Sequence, residues 1–382
     1  MNSTYLSQFY QKPVENILLD FGNMANQIDD LLDLSYGDPD LTTHNSIIEA
    51  AFKDAKAGHT HYTAPDGSPE FIQAVLNTYK RNYNLTFETS QVRATVGALH
   101  GIYLALGVIL NEGDEVIIHE PFFSPYKTQV EEIGGTSVII PTYEKDDFQI
   151  DIAILKAAIT PKTKALIINS PNNPTGAVFS KETLKQIADL AIEHNFYILS
   201  DEVYEAFSYG ETFYPMATFA PEHTITLNSF SKTFAMTGWR IGFMIAPSYI
   251  NDACTLLNEN ITFSAPTPAQ RAGIYALDNR EAIVPTVTTI FKERLSYIEK
   301  RVSTIDFVSL NPVKGSMYAF INIEKSGLTS IDFAMKLLKE QQVLVIPGKA
   351  FGQSGDNYIR LAATQDLSVL KEAFDRIEKL VF

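Results

Sequence analysis

Lys232 sits in Ser229-Phe230-Ser231-Lys232, and Arg240 follows eight residues later in Thr237-Gly238-Trp239-Arg240. Upstream, Asp201-Glu202-Val203-Tyr204 sets a carboxylate beside a phenol. Ser170-Pro171-Asn172-Asn173-Pro174-Thr175-Gly176 places paired amides on a proline-fixed turn, and Gly97-Ala98-Leu99 opens an apolar helical run. These residue types suit a definite chemistry. A helix N-terminus with free N–H groups, a serine hydroxyl and an arginine suit a phosphate dianion. A lysine near a cationic arginine and out of bulk water has its neutral amine favoured, and that amine attacks aldehydes. An aspartate facing a pyridine nitrogen keeps that nitrogen protonated.

The groups must be brought together by the elements around them. Short β-branched runs occupy 93–96, 115–119, 137–140, 164–169, 196–200, 224–228 and 241–246. Helical patterns fill 99–110, 125–133 and 181–194, the last behind a Ser180 cap with Leu184, Ile187, Ala188, Ala191 and Ile192 on one face. Alternation of this kind predicts βαβ units and a mostly parallel sheet. Open α/β sheets bind ligands at the carboxyl ends of their strands. The four polar clusters follow the runs 93–96, 164–169, 196–200 and 224–228 directly.

The last hundred residues read as a different, α+β unit. A long helix over 280–304 precedes strands at 316–323, 343–346 and 358–361, a helix over 330–340 and a final helix from Leu367. The first forty residues read as irregular and are expected to pack on this unit. The expectation is therefore a large domain over 41–279 and a small domain built from 1–40 and 280–382, without a Pro/Gly/Ser linker.

Phosphate, aldehyde and protonated pyridine together describe pyridoxal phosphate, whose ring accepts electrons from an amino-acid α-carbon. On three motifs the chain resembles the class I/II aminotransferases of the fold-type I pyridoxal-phosphate family, over essentially its whole length. The motifs are residues 170–176 quoted above, Ser200-Asp201-Glu202-Val203-Tyr204, and residues 229–242 from Ser229 through Lys232, Trp239 and Arg240 to Gly242. The resemblance implies an α/β fold, with a mostly parallel seven-stranded sheet in the large domain and a smaller α+β domain. It implies ping-pong transfer of an amino group between an L-amino acid and a 2-oxo acid, with Lys232 bonding the cofactor covalently and moving the α-proton. Asp201 is implied to pair with the ring nitrogen, and Asn173 and Tyr204 with the ring oxygen. Ala98, Leu99, Ser229, Ser231 and Arg240 are implied to cradle the phosphate, and Phe123 to stack on the ring. Arg360, in Tyr358-Ile359-Arg360-Leu361-Ala362, and Gly37, in Ser35-Tyr36-Gly37-Asp38-Pro39, are implied to receive the substrate carboxylate, with Asn173 beside them. Tyr62 is implied to reach the phosphate of a neighbouring subunit, which makes the protein a homodimer with shared sites.

Other readings are weaker. Ser229-x-x-Lys232 also fits the penicillin-binding pattern, but Ser-Asp-Asn and Lys-Thr-Gly do not occur. The histidines show no ligand spacing, and no Gly-x-Gly-x-x-Gly or P-loop pattern is present. No arginine or lysine matches a clamp for a side-chain carboxylate. A carbon–sulfur β-lyase on the same cofactor is the nearest alternative, since fold does not fix reaction. Acidic residues outnumber basic ones 45 to 30 in the 382-residue chain, for a net charge of -15. That balance argues against nucleic acid and anionic membranes as partners. A lone cysteine, Cys254, and an N-terminus that does not read as a secretory signal make the expected location cytoplasmic.

Overall fold

Residues 6–11, 17–25 and 28–382 are described by the computed structural model. The strands are β1 (Leu32–Asp33), β2 (Val92–Thr95), β3 (Glu115–Glu120), β4 (Thr136–Pro141), β5 (Thr163–Asn169) and β6 (Tyr197–Asp201). They continue as β7 (Thr224–Ser229), β8 (Gly242–Ile245), β9 (Tyr318–Asn322), β10 (Val343–Leu344), β11 (Ile346–Pro347) and β12 (Tyr358–Ala362). All seven runs read from the middle of the chain form strands, and they join one sheet in the order β2-β8-β7-β6-β5-β3-β4. β8 is antiparallel to both neighbours, and every other pairing is parallel. Both faces of this sheet are buried, as parallel sheets require. Alternate residues of β3 serve opposite cores: Val116 and Ile118 pack with Ile102 and Leu106, while Ile117 packs with Leu184 and Ile187.

The helix Lys181–His194 starts where expected, with Ser180 Oγ accepting the Thr183 N–H at 3.0 Å. It stops at Asn195 in the left-handed region. Leu184, Ile187, Ala188 and Ala191 are buried, but Ile192 is 54% exposed. Eight residues past Leu184, its side chain has turned by about 80° from that row.

A second, three-stranded antiparallel sheet, β11-β12-β9, lies among the helices Arg280–Val302, Ser330–Gln341 and Leu367–Ile377. One core joins Phe291, Leu337 and Phe374 to Phe21 and Leu34 from the N-terminal region. Two expectations need correction here. The run 343–346 is two strands: Val343 and Leu344 pair with β1, while Ile346 and Pro347 pair with β12. A continuous apolar run cannot show that its pairing changes partner midway. The first forty residues are also more regular than expected, with helices Gln8–Gln11 and Ile17–Ala25 and strand β1. Gly22 inside the second helix weakens its propensity, and burial of Phe21 (3% exposed) supplies what propensity does not.

Candidate active site

Six of the seven strands run the same way, so their carboxyl ends share one edge of the sheet. Register places Asn169 opposite Asp201, Asp201 opposite Leu227, and both Thr95 and Ser229 opposite Gly242. The segments leaving this edge, together with β12 and residues 35–38, surround a cavity of ≈ 430 Å³. That size suits a small-molecule ligand. Gly37, Ala98, Leu99, Phe123, Asn173, Asp201, Tyr204, Ser229, Ser231, Lys232, Arg240 and Arg360 all line it. Tyr62 does not; it is 84% exposed, with its ring edge-on to Phe263 at 5.2 Å.

Lys232 lies on the short helix Phe230–Thr233, whose first turn is held by Ser229 Oγ accepting the Ser231 N–H at 3.1 Å. Its Nζ donates to the Gly37 carbonyl. Gly37 cannot be larger, because an added Cβ would meet the Tyr318 hydroxyl oxygen at 1.9 Å.

The helix Ala98–Ile109 begins at Gly97, which has φ +75° and no side-chain cap. Its first N–H groups therefore face the cavity without a side-chain acceptor from the cap. Arg240 rests against this terminus: a Cβ on Gly97 would fall 2.8 Å from Arg240 Nη2. Arg240 Nη1 also donates to the Thr237 carbonyl at 2.9 Å. A glycine-opened helix start, two serine hydroxyls and a guanidinium form the donor set of a phosphate site.

Asp201 is 5% exposed. Its Oδ2 accepts the Tyr126 hydroxyl at 2.5 Å, and its Oδ1 accepts the Val203 N–H at 3.2 Å. Burial pushes its pKa up to about 6, while those two donors pull against the rise. The carboxylate is thus ionised at neutral pH but costly to keep so, and a cation beside it would relieve that cost. The neighbouring Glu202 is pushed to about 8 by burial, holds the Ser200 hydroxyl and the Met216 N–H, and does not line the cavity. Only one carboxylate of the Asp-Glu pair therefore serves the site.

The paired amides also divide. Asn172 Oδ1 fastens the turn by accepting from Thr175 N at 3.0 Å and Thr175 Oγ1 at 2.7 Å. Asn173 faces the cavity, where its Oδ1 accepts Arg360 Nη1 at 3.1 Å. Arg360 is 5% exposed, and no carboxylate among the described residues is paired with it. It donates to the Ser35 carbonyl and lies over the rings of Tyr318 at 4.5 Å and Phe351 at 4.8 Å. Its Nε has no partner. A buried guanidinium held by neutral groups, with a donor to spare, fits a bound carboxylate. Tyr204 shares a 3.1 Å hydrogen bond with Tyr318, and burial raises its phenol well above the ordinary value.

Tyr126 and Tyr318 were not legible as site residues. Tyr318 stands in an apolar run where a tyrosine reads as core, Tyr126 stands among polar residues at a helix start, and both are buried. Tyr126 lies in the first turn of the helix Pro125–Glu132, three residues after Phe123, and its ring meets that of Phe123 edge-on at 5.6 Å. His100 and His119 are lowered to about 4, chiefly by burial, and no metal-binding cluster exists among the described residues.

The model of the family described as aminotransferase class I and II matches residues 29–377. An aspartate aminotransferase of Pyrococcus horikoshii is 42% identical over 358 residues, covering 93% of this chain and 92% of that protein. Aromatic-amino-acid aminotransferase 2 of Thermococcus litoralis is 38% identical, covering 94% of each. Among solved structures, a single mutant of Thermus thermophilus aspartate aminotransferase superposes with a TM-score of 0.95 at 33% identity, over 98% of this chain and 99% of that one. The fold, the sheet-edge cavity and these likenesses agree: the chain belongs to the class I and II aminotransferases, the pyridoxal-phosphate family that moves amino groups between amino acids and 2-oxo acids.

Proposed function

We propose that this chain holds pyridoxal phosphate in the sheet-edge cavity and passes amino groups between an L-amino acid and a 2-oxo acid there. The observation that carries the reading is the cavity itself, in which Lys232, Asp201, Arg240 and Arg360 meet around ≈ 430 Å³. When bound, the cofactor supplies an electron-withdrawing ring that makes the α-proton of an amino acid acidic. The N–H groups of Ala98 and Leu99, with Ser229, Ser231 and Arg240, hold its phosphate. Asp201, held in turn by Tyr126, keeps the proton on the ring nitrogen. Asn173 and Tyr204 would serve the ring oxygen, and Phe123 would pack on the ring. Lys232 Nζ would hold the cofactor at its aldehyde carbon and would take the proton from the substrate α-carbon. Arg360 orients the substrate by its carboxylate, beside Asn173 and Gly37.

Aspartate and aromatic amino acids, named in the relatives above, are the first donors to try, and 2-oxoglutarate the first acceptor. We further infer a homodimer in which exposed Tyr62 serves the partner's site, and a cytoplasmic setting consistent with a single buried cysteine. The division into domains over 41–279 and over 1–40 with 280–382 is supported by the core that Phe21 and Leu34 share with the C-terminal helices. β-Elimination is not favoured, since the relatives named above are aminotransferases.

The test is cofactor uptake followed by borohydride reduction and peptide mapping, then an amino-acid panel. The expected result is one cofactor fixed on Lys232, none in Lys232→Ala, and a 2-oxo acid from at least one amino acid. Protein that takes up no pyridoxal phosphate overturns the reading.

A further inference from the structure

Glu120 ends β3, two residues before Phe122 and three before the cavity-lining Phe123. It is 8% exposed and makes no ion pair with any described residue. Its charge is met by backbone: Oε1 accepts the Gln353 N–H at 2.6 Å, and Oε2 accepts the Ser354 N–H at 3.0 Å. Consecutive N–H groups aimed at one carboxylate make strong, oriented bonds. The loop is shaped to receive it. Gly352 has φ +117°, and a Cβ there would lie 1.9 Å from Glu120 Oε1. A further bond, Phe122 N–H to the Phe351 carbonyl at 2.9 Å, runs alongside. Phe351 is fully buried beneath the Arg360 guanidinium, 4.8 Å from ring centre to Arg360 Cζ.

A continuous path therefore links the end of β3 to the arginine that receives the substrate carboxylate, through residues 351–354. We propose that Glu120 is a positioning residue for substrate binding: by clasping the 352–354 turn it fixes Phe351, and through Phe351 the place of Arg360 relative to Phe123. It touches neither substrate nor cofactor. The inference rests on Arg360 receiving the substrate carboxylate, as proposed above. Residues on the phosphate side of the cavity do not depend on this clasp, so cofactor binding should be insensitive to it.

The experiment compares the loaded enzyme with Glu120→Gln, Glu120→Ala, Arg360→Lys and the Glu120→Gln/Arg360→Lys double variant, using an amino acid that the panel shows to be turned over. Glu120→Gln keeps the shape but turns an N–H group toward one of the two backbone donors. The expected result is a KM raised roughly tenfold in Glu120→Gln, as for loss of one charge-assisted bond, and more in Glu120→Ala. kcat and the apo-protein's affinity for pyridoxal phosphate should stay close to wild type in Glu120→Gln. The double variant should show less than the product of the single effects, because both act on one contact. Unchanged KM in a folded Glu120→Gln, while Arg360→Lys raises it, overturns the role of Glu120. Parallel losses of kcat, cofactor affinity and thermal midpoint in Glu120→Gln mark a purely structural clasp and overturn it too. If Arg360→Lys itself leaves KM unchanged, the assignment of Arg360 fails instead, whatever Glu120 does.

Discussion

Asp201 has two donors and no cation among the described residues beside it, and burial, working against those donors, lifts its pKa to about 6. A protonated ring nitrogen bound against it lowers that value again. The sign follows from linkage: affinity for the cofactor is full above the free-protein pKa and weakens as pH falls through about 6, where Asp201 takes up a proton before binding. Titrating apo-protein with pyridoxal phosphate across that range checks this, and a flat profile would contradict it. Asp201→Asn should cut kcat by about 100-fold or more, the usual loss when a charge aimed at the developing transition state is removed. Arg360→Lys should raise KM roughly 10- to 100-fold, because a point charge replaces a forked donor. At this scale the sequence was informative wherever a polar residue followed a strand. Lys232, Asp201 and Asn173 are of that kind, Arg240 was found by its place eight residues after Lys232, and all line the cavity. Tyr126 and Tyr318 were not, since a buried tyrosine announces its apolar ring and not the partner of its hydroxyl.

Elements decide where those residues point. Gly97 opens its helix with φ +75° and leaves 2.8 Å between a notional Cβ and Arg240 Nη2. Gly97→Ala should therefore keep the fold but weaken cofactor binding about tenfold or more, as the displaced guanidinium loses its bond to the phosphate. Equilibrium titration of the folded variant reads this directly. Ser180→Ala is the contrasting case. It removes a helix cap far from the site and should lower unfolding free energy by about 1 kcal/mol with kcat unchanged, as denaturant melts would show. The strands of the large sheet were legible because each is a short β-branched run between helical patterns. The break at Val345 between β10 and β11 was not legible, because one apolar run serves two different sheets. Nor was the helix Ile17–Ala25, whose support is the tertiary burial of Phe21.

Across the whole molecule, a chain of net charge -15 places Lys232, Arg240 and Arg360 around one cavity. Order along the chain foretold that cavity, because parallel strands bring their carboxyl ends to one edge. It did not show the clasp between Glu120 and residues 353–354, which joins groups 233 and 234 positions apart. Tyr62 does not line its own cavity, and it belongs to a shared site only if subunits pair. Mixing Tyr62→Ala with Lys232→Ala subunits should then restore one intact site in each hybrid dimer, seen as activity above the sum of the separate variants. A simple sum would confine Tyr62 to its own subunit. In the proposed reaction, nitrogen leaves the donor and stays with the protein until an acceptor arrives. The most direct measurement is a single turnover: enzyme loaded with pyridoxal phosphate, a reactive amino acid, and no oxo acid. The expected result is one 2-oxo acid per Lys232, no free ammonia, and release of the held nitrogen as a new amino acid when 2-oxoglutarate is added. Continued formation of 2-oxo acid with ammonia, in the absence of any acceptor, would contradict it.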